Sequence, residues 1–374
     1  MMDGSHSNLE IDALLTQHIA ARDFPAAVYS VFENGRLVFA NALGNAVISP
    51  RQIPANLDTI FDLASLTKPL VTGFLCALLY ERASLKIDNP VSRYLPLFDT
   101  ADKREITVRQ LLTHTSGLPA WRPLREITAG DADFALEAIA RENLICRPGE
   151  KVIYSDLGFI TLGKLIEAVS SCKLNELAQR EIFDTLRLRR TFFKPNAALR
   201  PEVAACETGD AYEREMWVQA GLSNGIDALR SDVIWCEVHD GNAYFLGGAA
   251  GHAGLFSTAL ETTKIAEQFI TGRSTVFSNN ICELFRRNLT EGLQEDRSFA
   301  WQLASTKDST AGPDLPPDSF GHNGFTGTCC WVDGKKERIY TLLTNRTHQR
   351  PLPLANINSV RRRFNSIAAS ALNS

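Results

Sequence analysis

The chain lacks the features that would place it in several large functional classes. No apolar run reaches the ~18–20 residues of a bilayer-spanning helix, so no membrane span is expected. Basic residues are not in surplus: 39 Lys and Arg against 43 Asp and Glu give a net charge of −4, and nothing suggests a nucleic-acid surface. None of the eight cysteines forms a C-x-x-C pair and no H-x-x-x-H or similar tight histidine pair occurs, which leaves zinc and dithiol chemistry without ligands. His239 and His252 therefore read as structural histidines rather than metal ligands. The opening Met1-Met2-Asp3-Gly4-Ser5-His6 has neither the basic nor the apolar region of a secretory leader. Several cysteines fall in apolar stretches and read as small buried hydrophobes. Together these point to a cytoplasmic location and free thiols. Repeats, low-complexity tracts and obvious linkers are missing too.

What is present is the composition of a soluble globular protein, 44% hydrophobic and 22% charged, and at 374 residues it is long enough for two lobes. Leu9–Arg22 reads as a helix. Strands Ala26–Phe32 and Arg36–Leu43 flank Glu33-Asn34-Gly35, a strong hairpin signal. Pro69 through Arg82 is strongly helical, and residues 130–190 are mostly helical in period. The stretch 195–250 is irregular and rich in Gly, Asn and Asp. A second hairpin is expected across Asp333-Gly334, with Leu354–Leu372 as the closing helix. Strands thus gather at both ends and helices in the middle. The economical packing is an α+β fold with one antiparallel sheet built from the two termini and flanked by helices. Residues 1–75 and 250–374 would form that discontinuous lobe, and 76–249 an inserted, mostly helical domain with the active site at the junction.

Ser65-Leu66-Thr67-Lys68 sits where an extended segment gives way to the helical run. A serine at a helix N-terminus meets free backbone N–H groups and the positive end of the dipole. A lysine three residues on shares its face and reaches its hydroxyl, which activates a weak nucleophile without a histidine. Pro69 is compatible with a first turn. The same spacing recurs at Ser170-Ser171-Cys172-Lys173, but that serine ends a helix, the wrong end for alkoxide chemistry.

Tyr154, after the turn Arg147-Pro148-Gly149-Glu150, is a candidate general base, against the ordinary alternative of a half-buried tyrosine. In His322-Asn323-Gly324-Phe325-Thr326-Gly327 the glycines permit close backbone approach. The Phe325 N–H could pair with that of Ser65 as an oxyanion hole, or the stretch is simply a glycine-rich loop leading to a strand. Tyr94, Trp121 and Phe325 are candidates to line a pocket, although such aromatics are more often core. Gly221-Leu222-Ser223-Asn224-Gly225 formally matches the G-x-S-x-G elbow, and Asp240 and His252 follow in triad order. However, Glu213–Gln219 is too polar for the buried strand an elbow needs, and no α/β alternation surrounds it.

Taken jointly, Ser65-x-x-Lys68, Tyr154-x-Asp156 and His322-Asn323-Gly324 resemble the S-x-x-K, Y-x-N and K-T-G boxes of the β-lactamase-like superfamily. That superfamily comprises class C β-lactamases, D-alanyl-D-alanine peptidases and family VIII carboxylesterases. The stretches Asp88–Pro96, Leu111–Leu118 and Gly254–Ala259 are similar as well, so the resemblance runs from about residue 12 to 370. It implies a β-lactamase-like fold and a mechanism in which Ser65 attacks an acyl carbonyl while Lys68 and Tyr154 handle its proton. The Ser65 and Phe325 amides would hold the oxyanion, and water would release the acyl-enzyme, with no metal or cofactor. Two departures matter. Asp156 stands where lactamases usually carry asparagine, which removes an amide donor and puts a carboxylate near Lys68 to keep it charged. His322 replaces a lysine or arginine, and a histidine with an ordinary pKa of about 6.5 is a poor anion anchor at pH 7. Both favour uncharged esters over anionic amides. The expectation is a carboxylesterase for short acyl chains, monomeric or homodimeric, with a small-molecule ester or β-lactam as its substrate. A β-lactamase or D,D-peptidase is the runner-up, and a non-catalytic binding protein on the same fold the third reading.

Overall fold

A computed structural model describes residues 8–219, 221–222, 229–348 and 351–373. The expected first hairpin forms β1 (Ala26–Glu33) and β2 (Arg36–Val47). Asn34 and Gly35 take φ values of 50° and 71°, the left-handed pair that lets a tight turn follow the twist of its strands. The second hairpin joins β9 (Cys329–Asp333) to β10 (Arg338–Thr344). With β3 (Ile53–Pro54), β7 (Gln302–Leu303) and β8 (Phe320–Asn323) these make a seven-stranded sheet of order β3-β2-β1-β10-β9-β8-β7. Every pairing in it is antiparallel, and β1 meets β10 through Ser30 opposite Thr341. The two chain ends therefore share one sheet.

Both faces of that sheet are covered, which is why all seven residues of β10 are buried. Tyr340 and Leu342 face the terminal helices Leu9–Ala20 and Asn358–Ala371, packing with Ile11, Leu15 and Phe364. Ile339 and Leu343 face the larger core that contains Phe74, Leu75 and Phe269. Cys329 and Cys330 divide between the two cores as period-two alternation requires. Burial holds their thiols at about 11 and about 12, so they stay protonated and inert. The helix Ala259–Glu267 lies on the inner face, where Thr263 shares hydroxyl hydrogen bonds with Ser30 (3.0 Å) and Thr341 (2.9 Å).

Four local expectations change. A second, three-stranded sheet places β6 (Leu255–Ser257) between β4 (Phe61–Asp62) and β5 (Phe192–Phe193). It ties a strand from the helical stretch to the segment that leads into Ser65. The polar run before Gly221 is a helix, Ala211–Gln219, which turns Glu215 to solvent and buries Trp217. The closing helix starts at Asn358 rather than Leu354, because the Ala355 carbonyl is taken by Arg346 NH1 at 2.8 Å. Finally, Ser65 does not begin a plain α-helix. A 3-10 turn, Ala64–Leu66, is followed by a turn of π-helix, Lys68–Gly73, and only then by the α-helix Phe74–Glu81.

Candidate active site

Ser65 sits on a constrained bend. Ala64 has φ +46°, a left-handed conformation that is strained for a residue with a Cβ. The buried Asp62 holds it there, its Oδ1 accepting from Ala64 N at 2.8 Å and its Oδ2 from His239 N at 2.7 Å. Burial nevertheless raises the Asp62 pKa above the usual carboxylate range, against the pull of those two bonds.

Lys68 is the hub. Its ammonium donates to Ser65 Oγ at 3.0 Å and to the His252 carbonyl at 3.2 Å. It also meets Asp156 Oδ1 at 2.7 Å and lies 4.8 Å from the centre of the Tyr154 ring. The Asp156 contact misses the angle of a good hydrogen bond, since Oδ1 has no hydrogen-bond partner, so it acts through charge. Burial alone would pull Lys68 down, but the charge of Asp156 and the neighbouring Tyr154 outweigh it and leave its pKa above the ordinary lysine value. The expected pairing of Asp156 with Lys68 is present, and Lys68 is an ammonium at neutral pH.

Tyr154 and Asp156 are delivered by the start of the helix Asp156–Ser170. Ser155 caps it, its Oγ accepting from Gly158 N (3.0 Å) while donating to the Pro119 carbonyl (2.6 Å). Asp156 N donates to Ala120 O at 2.8 Å, and Ser155 N to His114 Nδ1 at 2.9 Å. His114 was not among the residues singled out for chemistry. Its ring lies against Tyr154 with centroids 4.5 Å apart. Burial, then the charges of Arg297 and Lys68, push its pKa well below 6.5. Because Nδ1 accepts, the proton sits on Nε2, which is buried and has no partner.

His322 faces the same space, its ring 5.8 Å from that of Tyr154. Its Nδ1 donates to the Asn323 carbonyl at 2.8 Å. Burial, then Lys68 and Arg297, hold its pKa well below 6.5, so it is neutral as expected. Gly324 answers a different need from the one read in the sequence. A Cβ there would lie 2.4 Å from the Leu63 carbonyl, so the close approach is to the protein's own backbone rather than to a ligand. Phe325 packs between the rings of Tyr212 (4.6 Å) and His239 (5.5 Å). Among the described residues no group takes up the N–H of Ser65 or of Phe325.

These residues open on one cavity of about 480 Å³ that includes Ser65, Trp121, Tyr154, Asp156, His322, Gly324 and Phe325. Tyr94 does not reach it: its hydroxyl accepts from Lys86 N and Asn89 Nδ2, a local structural role. Arg297, which no motif marks, does line the cavity. It lies 5.5 Å from the Tyr154 ring centre, and Glu295 Oε2 accepts from its Nε and NH2 at 3.1 and 2.6 Å. Its NH1 is buried and unpartnered. Another part of the lining is acidic, with Glu207, Asp210, Glu213 and Asp240.

The elbow serine, Ser223, lies outside the described residues. The helix before it contradicts the strand an elbow requires. His252 Nε2 and Asp240 Oδ1 do pair, at 2.8 Å, but His252 turns its carbonyl to Lys68 and Asp240 caps the helix Gly241–Phe245. The second Ser-x-x-Lys also takes its expected place at a helix end, where Ser170 Oγ donates to Ile166 O at 2.7 Å. No group of three or more His, Cys, Asp or Glu suited to a metal occurs among the described residues, and no helix there is long and apolar enough to cross a membrane.

A family model described as Beta-lactamase matches residues 11–360. A putative D-alanyl-D-alanine carboxypeptidase of Escherichia coli (strain K12) is 27% identical over 367 residues, covering 91% of this chain and 82% of that protein. Among solved structures, EstCE1, a hydrolase with promiscuous acyltransferase activity, superposes with a TM-score of 0.73 at 22% identity, covering 95% and 97% of the two chains. A class C β-lactamase from Rhodobacter sphaeroides gives 0.72 at 20% identity over 98% and 100%.

Proposed function

From the premise that the chain belongs to the β-lactamase family of serine hydrolases, we propose that it cleaves short-chain carboxylic esters through an acyl-enzyme on Ser65. The observation that carries this reading is the position of the Lys68 ammonium, 3.0 Å from Ser65 Oγ and 2.7 Å from Asp156. An ammonium kept charged by a carboxylate cannot be the base. It stabilises negative charge on Ser65 Oγ and on the neighbouring Tyr154 oxygen, which leaves Tyr154 to accept the serine proton. Oγ then bonds to the acyl carbon, and the carbonyl oxygen takes its negative charge against the free N–H groups of Ser65 and Phe325. As the tetrahedral intermediate collapses, Tyr154 returns the proton to the leaving alcohol. Water repeats the sequence to release the acid.

Two features support uncharged esters over β-lactams or peptides. Asp156 replaces an amide donor with an acceptor already engaged by Lys68, and His322 carries no charge. Arg297 supports a second reading. Its unpartnered NH1 is a donor for a substrate carboxylate, as a D-alanyl-D-alanine carboxypeptidase or β-lactamase activity would require. Hydrolysis of p-nitrophenyl acetate and butyrate by the wild type, Ser65→Ala and Ser223→Ala, with nitrocefin alongside, tests both. Ester turnover lost only in Ser65→Ala, on the order of 10⁴-fold, supports the proposal. Nitrocefin turnover equal to or above that of the esters supports the second reading, and a dead but folded Ser223→Ala overturns both.

A further inference from the structure

Arg361, on the C-terminal helix, is a cation buried without a counter-ion. It is only 4% exposed. Among the described residues no carboxylate pairs with it, and burial draws its pKa from the ordinary arginine value to about 10. Removing an unpaired guanidinium from water is costly unless its donors are satisfied. Here NH1 donates to Asn358 Oδ1 at 2.9 Å, NH2 donates to the Gly324 carbonyl at 2.8 Å and the Thr328 carbonyl at 3.0 Å, and Nε is buried without a partner. Both bonds of NH2 therefore go to the backbone of one loop.

That loop carries the second oxyanion donor. The Gly324 C=O and the Phe325 N–H belong to the same planar peptide, so fixing the oxygen fixes the direction of the N–H. A cation on the oxygen also draws electron density from the nitrogen and strengthens the donor on the opposite side. The rest of the loop is tied down in register with Ser65. Gly324 N donates to Thr328 O (2.8 Å) and Gly327 N to Gly324 O (3.1 Å). Thr326 Oγ1 and Thr328 Oγ1 donate to the carbonyls of Asp62 (2.7 Å) and Leu63 (3.0 Å), just before the nucleophile.

We propose that Arg361 is a positioning residue for the reaction: it holds the Gly324 carbonyl so that the Phe325 N–H points at the developing oxyanion and binds it more strongly. The inference rests on the Ser65 acyl-enzyme reading and extends it to the far end of the chain. It is tested with a neutral aryl ester and its thionoester, whose sulfur accepts hydrogen bonds poorly and gains little from an oxyanion hole. Using a neutral pair keeps any direct contact between Arg361 and a substrate anion out of the measurement. Arg361→Met fills the site with an apolar chain of similar reach, and Arg361→Lys retains a donor. Melting curves confirm that each variant is folded. The expected result is a fall in kcat/KM for the ester of about 10- to 100-fold in Arg361→Met, carried by kcat, with the thionoester changed far less and Arg361→Lys in between. An equal fall on both substrates, or none on the ester, would overturn the proposal. If Arg361→Met does not fold, the ester-to-thionoester ratio of Arg361→Lys decides, since an unchanged ratio has the same meaning. A wild type that shows no preference for the ester over the thionoester would overturn the oxyanion reading itself, and the inference with it.

Discussion

The two walls of the cavity carry opposite charges and treat them differently. On the acidic side nearly every carboxylate has a basic side chain as its partner. Asp210 Oδ1 meets Arg230 NH2 at 2.6 Å, Glu207 meets His239 at 3.0 Å, and Asp240 meets His252 at 2.8 Å. Glu213 is the exception, and it lowers its charge by holding a proton: burial, then Asp240 and Asp210, raise its pKa to about 7. On the sheet side the arginines are held mainly by carbonyl oxygens. Arg361 holds Gly324 and Thr328, Arg346 Nε holds the Phe325 carbonyl at 2.7 Å, and Arg297 leaves NH1 unpaired beside its single carboxylate. A carbonyl satisfies a guanidinium without cancelling its charge. Guanidinium charge is thus retained beside the loop that presents the Phe325 amide, where the proposed acyl transfer would develop an oxyanion. What differs between the two sides is the kind of partner: basic side chains face the carboxylates, while carbonyls hold most of the arginines.

The largest change should come from a residue that belongs to neither wall and so sets the scale for both. Tyr154→Phe is expected to lower kcat by about 10²–10⁴-fold on every ester, whatever its charge, in steady-state assays. If the acidic wall is structural, breaking one of its pairs should cost stability before activity. Asp210→Asn leaves the buried Arg230 with only the more distant Glu237, at 3.9 Å, as a paired carboxylate and should lose about 3 kcal/mol, read from denaturant unfolding. If the sheet side carries the usable positive charge, Arg297→Gln should reduce turnover of carboxylate-bearing esters by about 10- to 100-fold, the worth of a charge-assisted hydrogen bond, while neutral esters change little. His322→Lys adds a cation to that same wall and should raise nitrocefin turnover relative to neutral esters. An unchanged ratio would show that His322 is not the discriminating residue.

The smallest effect is a pH dependence. Glu213 keeps its proton in the folded protein up to about pH 7, against 4.5 for an ordinary glutamate. The native state therefore binds more protons than the unfolded chain between those values, and this group's contribution to stability falls as pH rises through the window. The cavity gains a negative charge over the same rise. KM for a cationic ester should thus drop a few-fold relative to a neutral one between about pH 6 and 8, and Glu213→Gln should flatten that ratio. His322 and His114, both held well below 6.5, should add no inflection in this range.

The Ser65–Lys68 contact and the sheet built from both chain ends were legible because each rests on local signals: Ser-x-x-Lys ahead of a helical run, and turn residues between alternating strands. The Asp156–Lys68 pairing was legible from two motifs together. What stayed hidden is non-local. Arg297 and Arg361 have no flanking pattern, and their meaning comes only from carbonyls and rings that the fold brings to them. His114 lay in a stretch noted only for its resemblance, and its role as acceptor for Ser155 N depends on a bend at φ +60° that no propensity announces. The bend at Ala64 is the same kind of case. A non-glycine residue in the left-handed region reads as helix in sequence and appears only once Asp62 is seen holding it.

The central claim is that Ser65 forms the covalent intermediate. The most direct measurement is peptide mapping by mass spectrometry after reaction of the native protein with a fluorophosphonate probe, repeated after acid quench during turnover of p-nitrophenyl butyrate. The account predicts one equivalent of phosphonate, and a trapped butyryl group, on the peptide that contains Ser65, with Ser65→Ala unlabelled. Label on the peptide that contains Ser223, or a folded protein that takes up no label, would contradict it.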